Sequence, residues 1–198
     1  MKNHQSAKAA IHRALFLDRD GVINLDHGYV YRQDEFTFIP GIFDACRLAR
    51  DQGFTIVVVT NQAGIGRNYY TEEDFETLTR WMKERFLEEG ITVAAVYYCP
   101  HHPEAGIGRY RQESFDRKPN PGMLLRAKSD LGIDLTHSIL IGDKESDIEA
   151  AKRAGIGISI RFGTLPDGEV TQADLRAQNH GDVCSFLDAH FRQPFLPT

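Results

Sequence analysis

The amino-acid sequence predicts an α/β protein in which one parallel sheet lies between two layers of helices. Short apolar segments alternate along the chain with segments whose apolar residues recur at helical spacing. One apolar segment, Phe54 to Val59, ends in three consecutive valines, which is typical of a parallel strand covered on both faces. Strands that alternate with helices form parallel sheets through right-handed crossovers, so we predict a three-layer, Rossmann-like core.

The first half of the chain contains two strand–helix pairs. The first predicted helix carries six apolar residues at helical spacing and ends before Gly53. The second begins at a capping box, Thr71 to Asp74, in which aspartate replaces the usual glutamate. The predicted strand, helix, strand and helix are residues 14–17, 41–52, 54–59 and 71–89.

The second half repeats this alternation and then becomes more polar. A helix is expected to begin at Pro121 and to end near Gly132, because proline is favoured in the first turn and glycine after the last. Between 100 and 119 we predict a loop rich in histidine, glycine and charge, and loops of this length in compact domains usually have a function. The predicted elements are strands at 93–98, 138–141 and 157–161, and helices at 121–132, 145–154 and near 183–191.

Length and composition limit the class of protein. The chain has 198 residues, of which 41% are hydrophobic and 26% are charged, as expected of a single soluble domain. We predict that domain at 14–192, between an N-terminal extension at 1–13 and a tail at 193–198. The net charge of −5 weighs against nucleic acid as a partner, because phosphate backbones are bound by clustered lysine and arginine.

The distribution of cysteines and apolar residues predicts the compartment. The three cysteines are widely spaced, no signal-peptide pattern begins the chain, and no apolar run reaches bilayer length. These observations predict a cytoplasmic protein without disulfides and without membrane contact. We also expect a monomer, because the sequence has an acidic balance and no obvious apolar patch.

Residues with catalytic chemistry follow the predicted strands. The ends of three strands and the segment before a later helix carry Asp18, Asp20, Thr60, Lys118 and Asp143. Ligands of parallel α/β sheets bind beyond the carboxyl ends of the strands, so we expect these side chains to meet at one edge of the sheet. Two carboxylates as close as Asp18 and Asp20 repel each other unless a cation or a shared proton relieves the repulsion.

This set of residues suits phosphoryl transfer through a carboxylate nucleophile. We predict that Asp18 attacks phosphorus, while Asp20 protonates the leaving oxygen and later takes a proton from water. Mg²⁺ prefers hard oxygen ligands, so a magnesium site is predicted from Asp18, the main-chain carbonyl of Asp20, and Asp143. Thr60 is predicted to bind phosphoryl oxygens, and Lys118 to balance the negative charge.

The same residues, in this order, resemble the motifs of the haloacid dehalogenase superfamily of phosphatases. The matching motifs are Asp18-Arg19-Asp20-Gly21, Thr60-Asn61-Gln62, Lys118, and Gly142-Asp143 with Asp147. Residues 24–30, 98–103 and 117–124 more closely resemble the family of D-glycero-D-manno-heptose 1,7-bisphosphate 7-phosphatases. The resemblance runs from about residue 15 to residue 163. It implies the haloacid dehalogenase core without a large cap domain, because 21–38 and 100–118 are too short to form one.

The resemblance also implies an activity and further site residues. The expected reaction is magnesium-dependent removal of the 7-phosphate through an aspartyl-phosphate, which leaves a heptose 1-phosphate for lipopolysaccharide, capsule or glycoprotein precursors. The implied substrate-pocket residues are Asp26, His27, Gly28 and Tyr29. Those implied to bind substrate or phosphate are Thr60, Asn61, Gln62, Ala63, Arg117, Lys118 and Lys144. The family often has serine where this chain has Ala63. Both residues have the same backbone amide, so we expect the difference to have little effect on binding.

The chain departs from the family at its structural zinc site. The family usually holds zinc with a Cys-x-His pair and a Cys-x-Cys pair. Cys99 and His101 are present, but Ser114 and Asp116 stand where the second pair would be. Serine is a poor zinc ligand, and one carboxylate does not replace two thiolates. We therefore expect magnesium, and the sequence weighs against zinc.

Three alternative functions share part of this pattern. Histidinol-phosphate phosphatase, from a sister family, shares the metal loop and the segment 117–119, but segments 26–29 and 121–124 favour the heptose family. A polynucleotide 3′-phosphatase shares the chemistry, but the acidic balance and the lack of a basic, aromatic groove weigh against it. A non-catalytic phosphate-binding module would normally lose the nucleophile or the general acid, and this sequence retains both.

Overall fold

The computed structural model describes residues 12–166 and 168–191, and at its centre is a six-stranded sheet. The strands are β1 (Arg13–Leu17), β2 (Phe54–Asn61), β3 (Val93–Cys99), β4 (Ile139–Gly142), β5 (Ile158–Phe162) and β6 (Leu175–Ala177). Their order is β3-β2-β1-β4-β5-β6, and every neighbouring pair is parallel. Leu17 of β1 aligns with Val58 of β2 and Ile141 of β4, so the carboxyl ends of these strands meet at one edge.

Helices cover both faces of the sheet. They are α1 (Ile42–Asp51), α2 (Ala63–Gly66), α3 (Glu72–Glu88), α4 (Gly122–Leu131), α5 (Glu145–Ala154) and α6 (His180–Phe191). On one face, α1, α3 and α6 bury their apolar residues against Leu15, Leu17 and Val58. On the other face, α4 and α5 pack against Phe16, Val57 and Val59. The predicted three-layer α/β core is confirmed.

Local capping explains where the second long helix begins. The backbone amide of Asp74 donates to the Thr71 hydroxyl at 3.1 Å, and the backbone amide of Thr71 donates to the Asp74 carboxylate at 2.8 Å. This reciprocal pair is the capping box predicted from the sequence, with aspartate reaching back in place of glutamate. It places the start of α3 after the loop that follows β2, close to the edge of the sheet where the site lies.

Two elements lie outside the predictions, and the last helix is longer than predicted. Strand β6 has only three residues, two of them exposed, so it carries no alternation of apolar and polar residues. Helix α2 is a single turn directly after β2, and helix α6 begins three residues before the predicted position. The predicted N-terminal extension and tail lie almost entirely outside the described residues, and the single-domain boundaries stay a prediction. In the described part of the chain, no helix has both the length and the apolar composition to cross a bilayer.

Candidate active site

The predicted nucleophile, Asp18, directly follows β1 at the edge of the sheet where β2 and β4 also end. Its backbone amide donates to the carbonyl of Ile141 at 3.0 Å, which continues the pairing of β1 with β4 by one residue. Its side chain is buried, and Oδ1 accepts a hydrogen bond from the Arg19 amide at 2.7 Å. The strand pairing therefore orients this carboxylate before any ligand binds.

Lys118 lies between two carboxylates at the base of the site. Its Nζ is 3.0 Å from Asp18 Oδ1 and 2.6 Å from Asp147 Oδ1, and it also donates to the carbonyl of Val59 at 2.9 Å. Only 4% of Lys118 is exposed. Burial alone would lower the pKa of this amine, but the two carboxylates outweigh burial and raise it, so the ammonium stays charged. A fixed positive charge thus lies beside the predicted nucleophile.

Three carboxylates converge at a position suited to a divalent cation. Oxygens of Asp18, Asp143 and Asp147 lie within 4.8 Å of one another. Both oxygens of Asp147 are engaged, by Lys118 and by the backbone amide of Lys144, whereas Asp143 Oδ1 is buried without a hydrogen-bond partner among the described residues. A buried carboxylate oxygen without a donor is costly unless a cation or a proton meets it. Asp18 and Asp143 therefore fit the predicted magnesium site.

The protonation of these two carboxyl groups supports the same conclusion. Burial raises the pKa of Asp18 to about 7 and that of Asp143 to about 6, and the neighbouring carboxylates add to the effect of burial. Lys118 opposes the rise at Asp18, and Lys144 opposes it at Asp143. A divalent cation favours the ionised forms of both groups. We therefore expect cation binding to weaken as the pH falls through this range.

Gly21 allows the first strand end to approach Asp143. Its φ of +84° lies in the left-handed region, and a Cβ built there would lie 2.3 Å from Asp143 Oδ2. Gly21→Ala should therefore displace the Asp143 carboxylate and raise the Mg²⁺ concentration needed for half-maximal activity by about tenfold. Gly53→Ala is the matched control, because Gly53 has nearly the same φ, +85°, but a Cβ at this position would meet no heavy atom within 4 Å.

Both variants should lose about 1–2 kcal/mol of stability from backbone strain. Only Gly21→Ala should change the magnesium titration, because only there does the added methyl meet a ligand. An unchanged titration in a folded Gly21→Ala protein would contradict the assignment of Asp143 to the metal site.

Asp20, the predicted general acid, is held by three donors. The Arg19 guanidinium pairs with both of its carboxylate oxygens, through Nη2 at 2.9 and 2.8 Å and Nε at 3.2 Å. Asn24 Nδ2 donates at 3.0 Å and Gln62 Nε2 at 3.1 Å. Arg19 is itself almost completely buried and donates to the carbonyl of Val30. These contacts hold the Asp20 side chain at the wall of the cleft.

The predicted site residues line one cleft of about 600 Å³, with two exceptions. Asp26, Gly28 and Tyr29 line it, and Asp26 Oδ2 is 3.1 Å from Lys144 Nζ. His27 instead lines a neighbouring cavity, away from the predicted nucleophile. Asp143 lies beside the cleft, with a carboxylate oxygen within 4.8 Å of one of Asp18. The lining also includes Asp18, Asp20, Thr60, Asn61, Gln62, Ala63, Arg117, Lys118 and Lys144.

The side chains of Asn61 and Gln62 are engaged within the protein. Asn61 Nδ2 donates to the carbonyl of Lys118 at 3.0 Å, and its Oδ1 accepts from the Lys118 amide at 3.1 Å. Gln62 is buried and donates to Thr60 Oγ1 at 2.8 Å as well as to Asp20. The two Asn61 contacts fix the position of the Lys118 backbone, and the two Gln62 contacts orient Thr60 and Asp20, which have predicted catalytic roles.

Comparison with known proteins identifies the family. A family model described as HAD-hydrolase-like matches residues 115–183. The chain is 52% identical over 176 residues to D-glycero-alpha-D-manno-heptose-1,7-bisphosphate 7-phosphatase of Burkholderia mallei, covering 88% of this chain and 93% of that relative. The chain belongs to the haloacid dehalogenase family of phosphatases. It is therefore a phosphoric monoester hydrolase, as the sequence predicted.

Other relatives and solved structures agree with this assignment. The chain is 50% identical over 151 residues to D-glycero-beta-D-manno-heptose-1,7-bisphosphate 7-phosphatase of Vibrio cholerae, covering 76% of this chain and 81% of that relative. A HAD-like phosphatase from Mesorhizobium loti superposes with a TM-score of 0.79 at 34% identity, covering 93% of this chain and 90% of that one. The D,D-heptose 1,7-bisphosphate phosphatase of B. bronchiseptica, complexed with magnesium and phosphate, superposes with a TM-score of 0.73 at 28% identity, covering 88% of this chain and 97% of that one.

Polar contacts hold the loop that contains the four positions considered above for zinc. Cys99 Sγ lies 3.8 Å from His101 Nδ1, and Ser114 hydrogen-bonds to the thiol. Asp116 forms an ion pair with Arg126 at 2.8 Å. Burial raises the pKa of the Cys99 thiol, which opposes the thiolate form that zinc requires. All four positions thus have protein partners, and the expectation of no zinc stays a prediction.

Four residues near the reacting groups were not predicted from the sequence: Arg19, Asn24, Arg67 and Tyr70. Arg19 lies inside the first motif, where an arginine between two aspartates could have indicated a partner for one of them. Arg67 and Tyr70 follow the second motif. Tyr70 lines the cleft, and the Arg67 guanidinium lies against the ring of Tyr29, because α2 and the following turn bring the chain back. Sequence spacing alone carries no signal of that return.

Proposed function

We propose that this phosphatase removes the 7-phosphate of D-glycero-D-manno-heptose 1,7-bisphosphate through an aspartyl-phosphate on Asp18, with magnesium as cofactor. The observation that carries the proposal is the arrangement of charge in one cleft. Asp18 and Lys118 lie at its base, and Arg117 and Lys144 lie on its wall. A sugar with two phosphates matches a cleft with cations at two separate places. The relatives named above, at about 50% identity, act on this class of substrate.

In the first step, a carboxylate oxygen of Asp18 forms a bond to the phosphorus of the 7-phosphate. The bond between phosphorus and the sugar oxygen breaks, and Asp20 gives its proton to that oxygen as the sugar leaves. Lys118, 3.0 Å from Asp18, offsets the negative charge of the phosphoryl group. The alcohol product departs, and the phosphoryl group stays on Asp18.

In the second step, water attacks the phosphorus of the aspartyl-phosphate. Asp20, now ionised, takes a proton from this water, and the bond between phosphorus and Asp18 breaks. Inorganic phosphate leaves, and both aspartates return to their starting states. The contacts of Asp20 with Arg19, Asn24 and Gln62 keep one carboxyl group available for both proton transfers.

Asp18, Asp143 and the main-chain carbonyl of Asp20 would hold Mg²⁺. The ion, when bound, supplies positive charge that favours the ionised form of Asp18 and neutralises the transferring phosphate. The related enzyme of B. bronchiseptica was solved with magnesium and phosphate, which supports this choice of cofactor.

Arg117 and Arg67 are proposed to bind the second phosphate. The Arg117 guanidinium donates one hydrogen bond, to the carbonyl of His101, and forms no ion pair with any described residue. Burial lowers the pKa of Arg117, and neighbouring Arg67 lowers it further. Arg67 lies 5.7 Å from the ring centre of Tyr29, and its Nε is buried without an acceptor in the described chain. Two neighbouring guanidinium groups without carboxylate partners are stabilised by an anion.

A phosphate-release panel tests the substrate. The substrates are both anomers of heptose 1,7-bisphosphate, the corresponding heptose 7-phosphate, histidinol phosphate and fructose 1,6-bisphosphate. We expect the highest kcat/KM for one anomer of the heptose bisphosphate. A higher kcat/KM for histidinol phosphate or fructose 1,6-bisphosphate would overturn the proposed substrate.

The panel also tests the second phosphate site. Arg67→Met should raise KM for the bisphosphate by about tenfold, because a charge-assisted contact is lost, and should leave KM for heptose 7-phosphate unchanged. Arg47→Met is the matched control, since Arg47 pairs with Asp44 and Glu89 on the surface. An equal rise in KM for both heptose substrates would remove Arg67 from this role.

A further inference from the structure

The buried side chain of Gln62 links three polar groups. Its Nε2 donates to Asp20 Oδ2 at 3.1 Å and to Thr60 Oγ1 at 2.8 Å. Its Oε1 accepts a hydrogen bond from the hydroxyl of Tyr70. Only 2% of Gln62 and 6% of Tyr70 is exposed. Asp20, the predicted general acid, is therefore connected to Tyr70 through the side-chain amide of Gln62.

The Tyr70 hydroxyl anchors the side of the Gln62 amide that does not contact Asp20. An amide has donors on one side and an acceptor on the other, and the donors must face the Asp20 carboxylate to make a favourable contact. Tyr70 supplies a donor to the acceptor side, and burial raises the pKa of its hydroxyl, which keeps that proton in place. If the amide turned over, its oxygen would face an Asp20 carboxylate oxygen, and two acceptors would meet.

Packing around Tyr70 holds its hydroxyl in reach of Gln62. The ring stacks on Tyr31 with centroids 5.1 Å apart and planes 6° from parallel. Gly64 also lies against the ring, and a Cβ there would come within 2.2 Å of a ring carbon and 2.8 Å of the hydroxyl oxygen. Only glycine at position 64 allows this close approach. The tyrosine is thus held by its contacts with Tyr31 and Gly64.

We propose that Tyr70 is a positioning residue for Asp20, acting through the amide of Gln62. The inference rests on the proposed role of Asp20 as general acid, and it adds the residues that orient the Asp20 carboxyl group. Asp20 must deliver its proton to the leaving oxygen, so a change in its orientation affects leaving groups that need a proton. It should not affect a leaving group that departs as a stable anion.

The test compares two classes of phosphate ester. Tyr70→Phe should lower kcat/KM by about tenfold or more for the alkyl phosphate that the wild-type enzyme turns over best, whose alkoxide needs protonation. For p-nitrophenyl phosphate, kcat/KM should stay within about twofold, because p-nitrophenolate leaves without a proton. The ratio kcat/KM reports the steps up to the departure of the leaving group, so hydrolysis of the aspartyl-phosphate does not enter it.

Three further variants separate this role from general disruption. Tyr31→Phe keeps the stacked ring and removes a hydroxyl that forms no hydrogen bond with the described residues. It should therefore leave kcat/KM unchanged for both esters. Gly64→Ala should displace the ring and reproduce the loss for the alkyl phosphate although the hydroxyl remains. In a Gln62→Ala background, Tyr70→Phe should have no further effect, because the link to Asp20 is already broken.

Several outcomes would overturn the proposal. An equal loss of kcat/KM for both esters would assign Tyr70 a general structural role, and a change in KM alone would make it a substrate contact. Full activity of Tyr70→Phe with both esters would remove it from the mechanism. Because the comparison uses whichever alkyl phosphate the wild type prefers, it stays informative if heptose bisphosphate is not the substrate, and that failure would be seen in the wild-type panel.

Discussion

Asp18→Asn is expected to lower phosphate release by about 10⁴-fold or more while the protein stays folded. The amide has no negative oxygen to attack phosphorus, and it also lacks the charge that binds magnesium. Asp26→Asn is the matched control in the same cleft. It removes the charge that pairs with Lys144 at 3.1 Å, and it should raise KM more than it lowers kcat. Phosphate release under saturating magnesium measures both effects, and substantial turnover by Asp18→Asn would contradict the proposed mechanism.

The same variant should also change how stability depends on pH. In the folded protein the pKa of Asp18 is raised from the ordinary 3.8 to about 7, chiefly by burial. The folded state therefore holds this proton more tightly than the unfolded state does. Without magnesium, the free energy of unfolding should fall as the pH rises from about 4 to about 7. In Asp18→Asn this fall should be smaller, because only the Asp143 carboxyl remains to contribute to it at the metal site.

Thermal unfolding at several pH values, in the presence of a chelator, measures this difference. Adding magnesium to the wild-type protein should restore stability at neutral pH, because the cation binds the ionised carboxylates. An identical pH dependence in the wild type and in Asp18→Asn would show that Asp18 does not carry a raised pKa.

Lys118→Met should have the largest combined effect on stability and activity. It leaves Asp18 and Asp147 buried without the ammonium that contacts them at 3.0 and 2.6 Å. Removing one partner from a buried ion pair costs about 3–5 kcal/mol. Activity should fall by about 10²–10³-fold, because the charge beside the transferring phosphate is lost. The loss of stability should be smaller at low pH, where the Asp18 carboxyl, whose pKa is raised by burial, takes up a proton.

Lys144→Met is the matched control for this prediction. Lys144 also contacts two carboxylates, Asp26 at 3.1 Å and Asp143 at 3.9 Å, but 57% of its side chain is exposed. Water can solvate the two carboxylates once the exposed ammonium is removed, so the free energy of unfolding should change by less than about 1 kcal/mol, while KM should rise. Denaturant unfolding and phosphate release separate the two variants. Equal losses of stability would show that burial of Lys118 does not govern the effect.

The sequence predicted the strands near the site well, because each carries a strong local signal. Consecutive valines mark β2, and the Thr71–Asp74 capping box marks the start of α3. Strand β6 was missed, because an edge strand of three residues has too little buried surface to produce a pattern. Its position depends on the backbone of β5, which offers hydrogen bonds to any segment that reaches it.

The roles of single side chains in the site were less predictable. Asn61 lines the cleft, and its predicted contact with substrate or phosphate stays a prediction. Its side chain also holds the backbone of Lys118, 57 residues away, which the sequence did not indicate. His27 belongs to a predicted pocket segment, but it lines a neighbouring cavity. In both cases the motif fixes where the backbone lies. The direction of the side chain depends on partners that come from distant parts of the chain.

Hydrophobic periodicity and the residues at strand ends were enough to predict the fold class and the family, and they also predict the reacting groups. The charge and orientation of those groups depend on contacts that only the folded chain makes. Lys118 lies between Asp18 and Asp147, and the Gln62 amide meets both Asp20 and Tyr70, only after β1, β2 and β4 align. Burial and ångström-scale distances control the pKa and the orientation of a side chain, and both arise from contacts between segments far apart in the sequence.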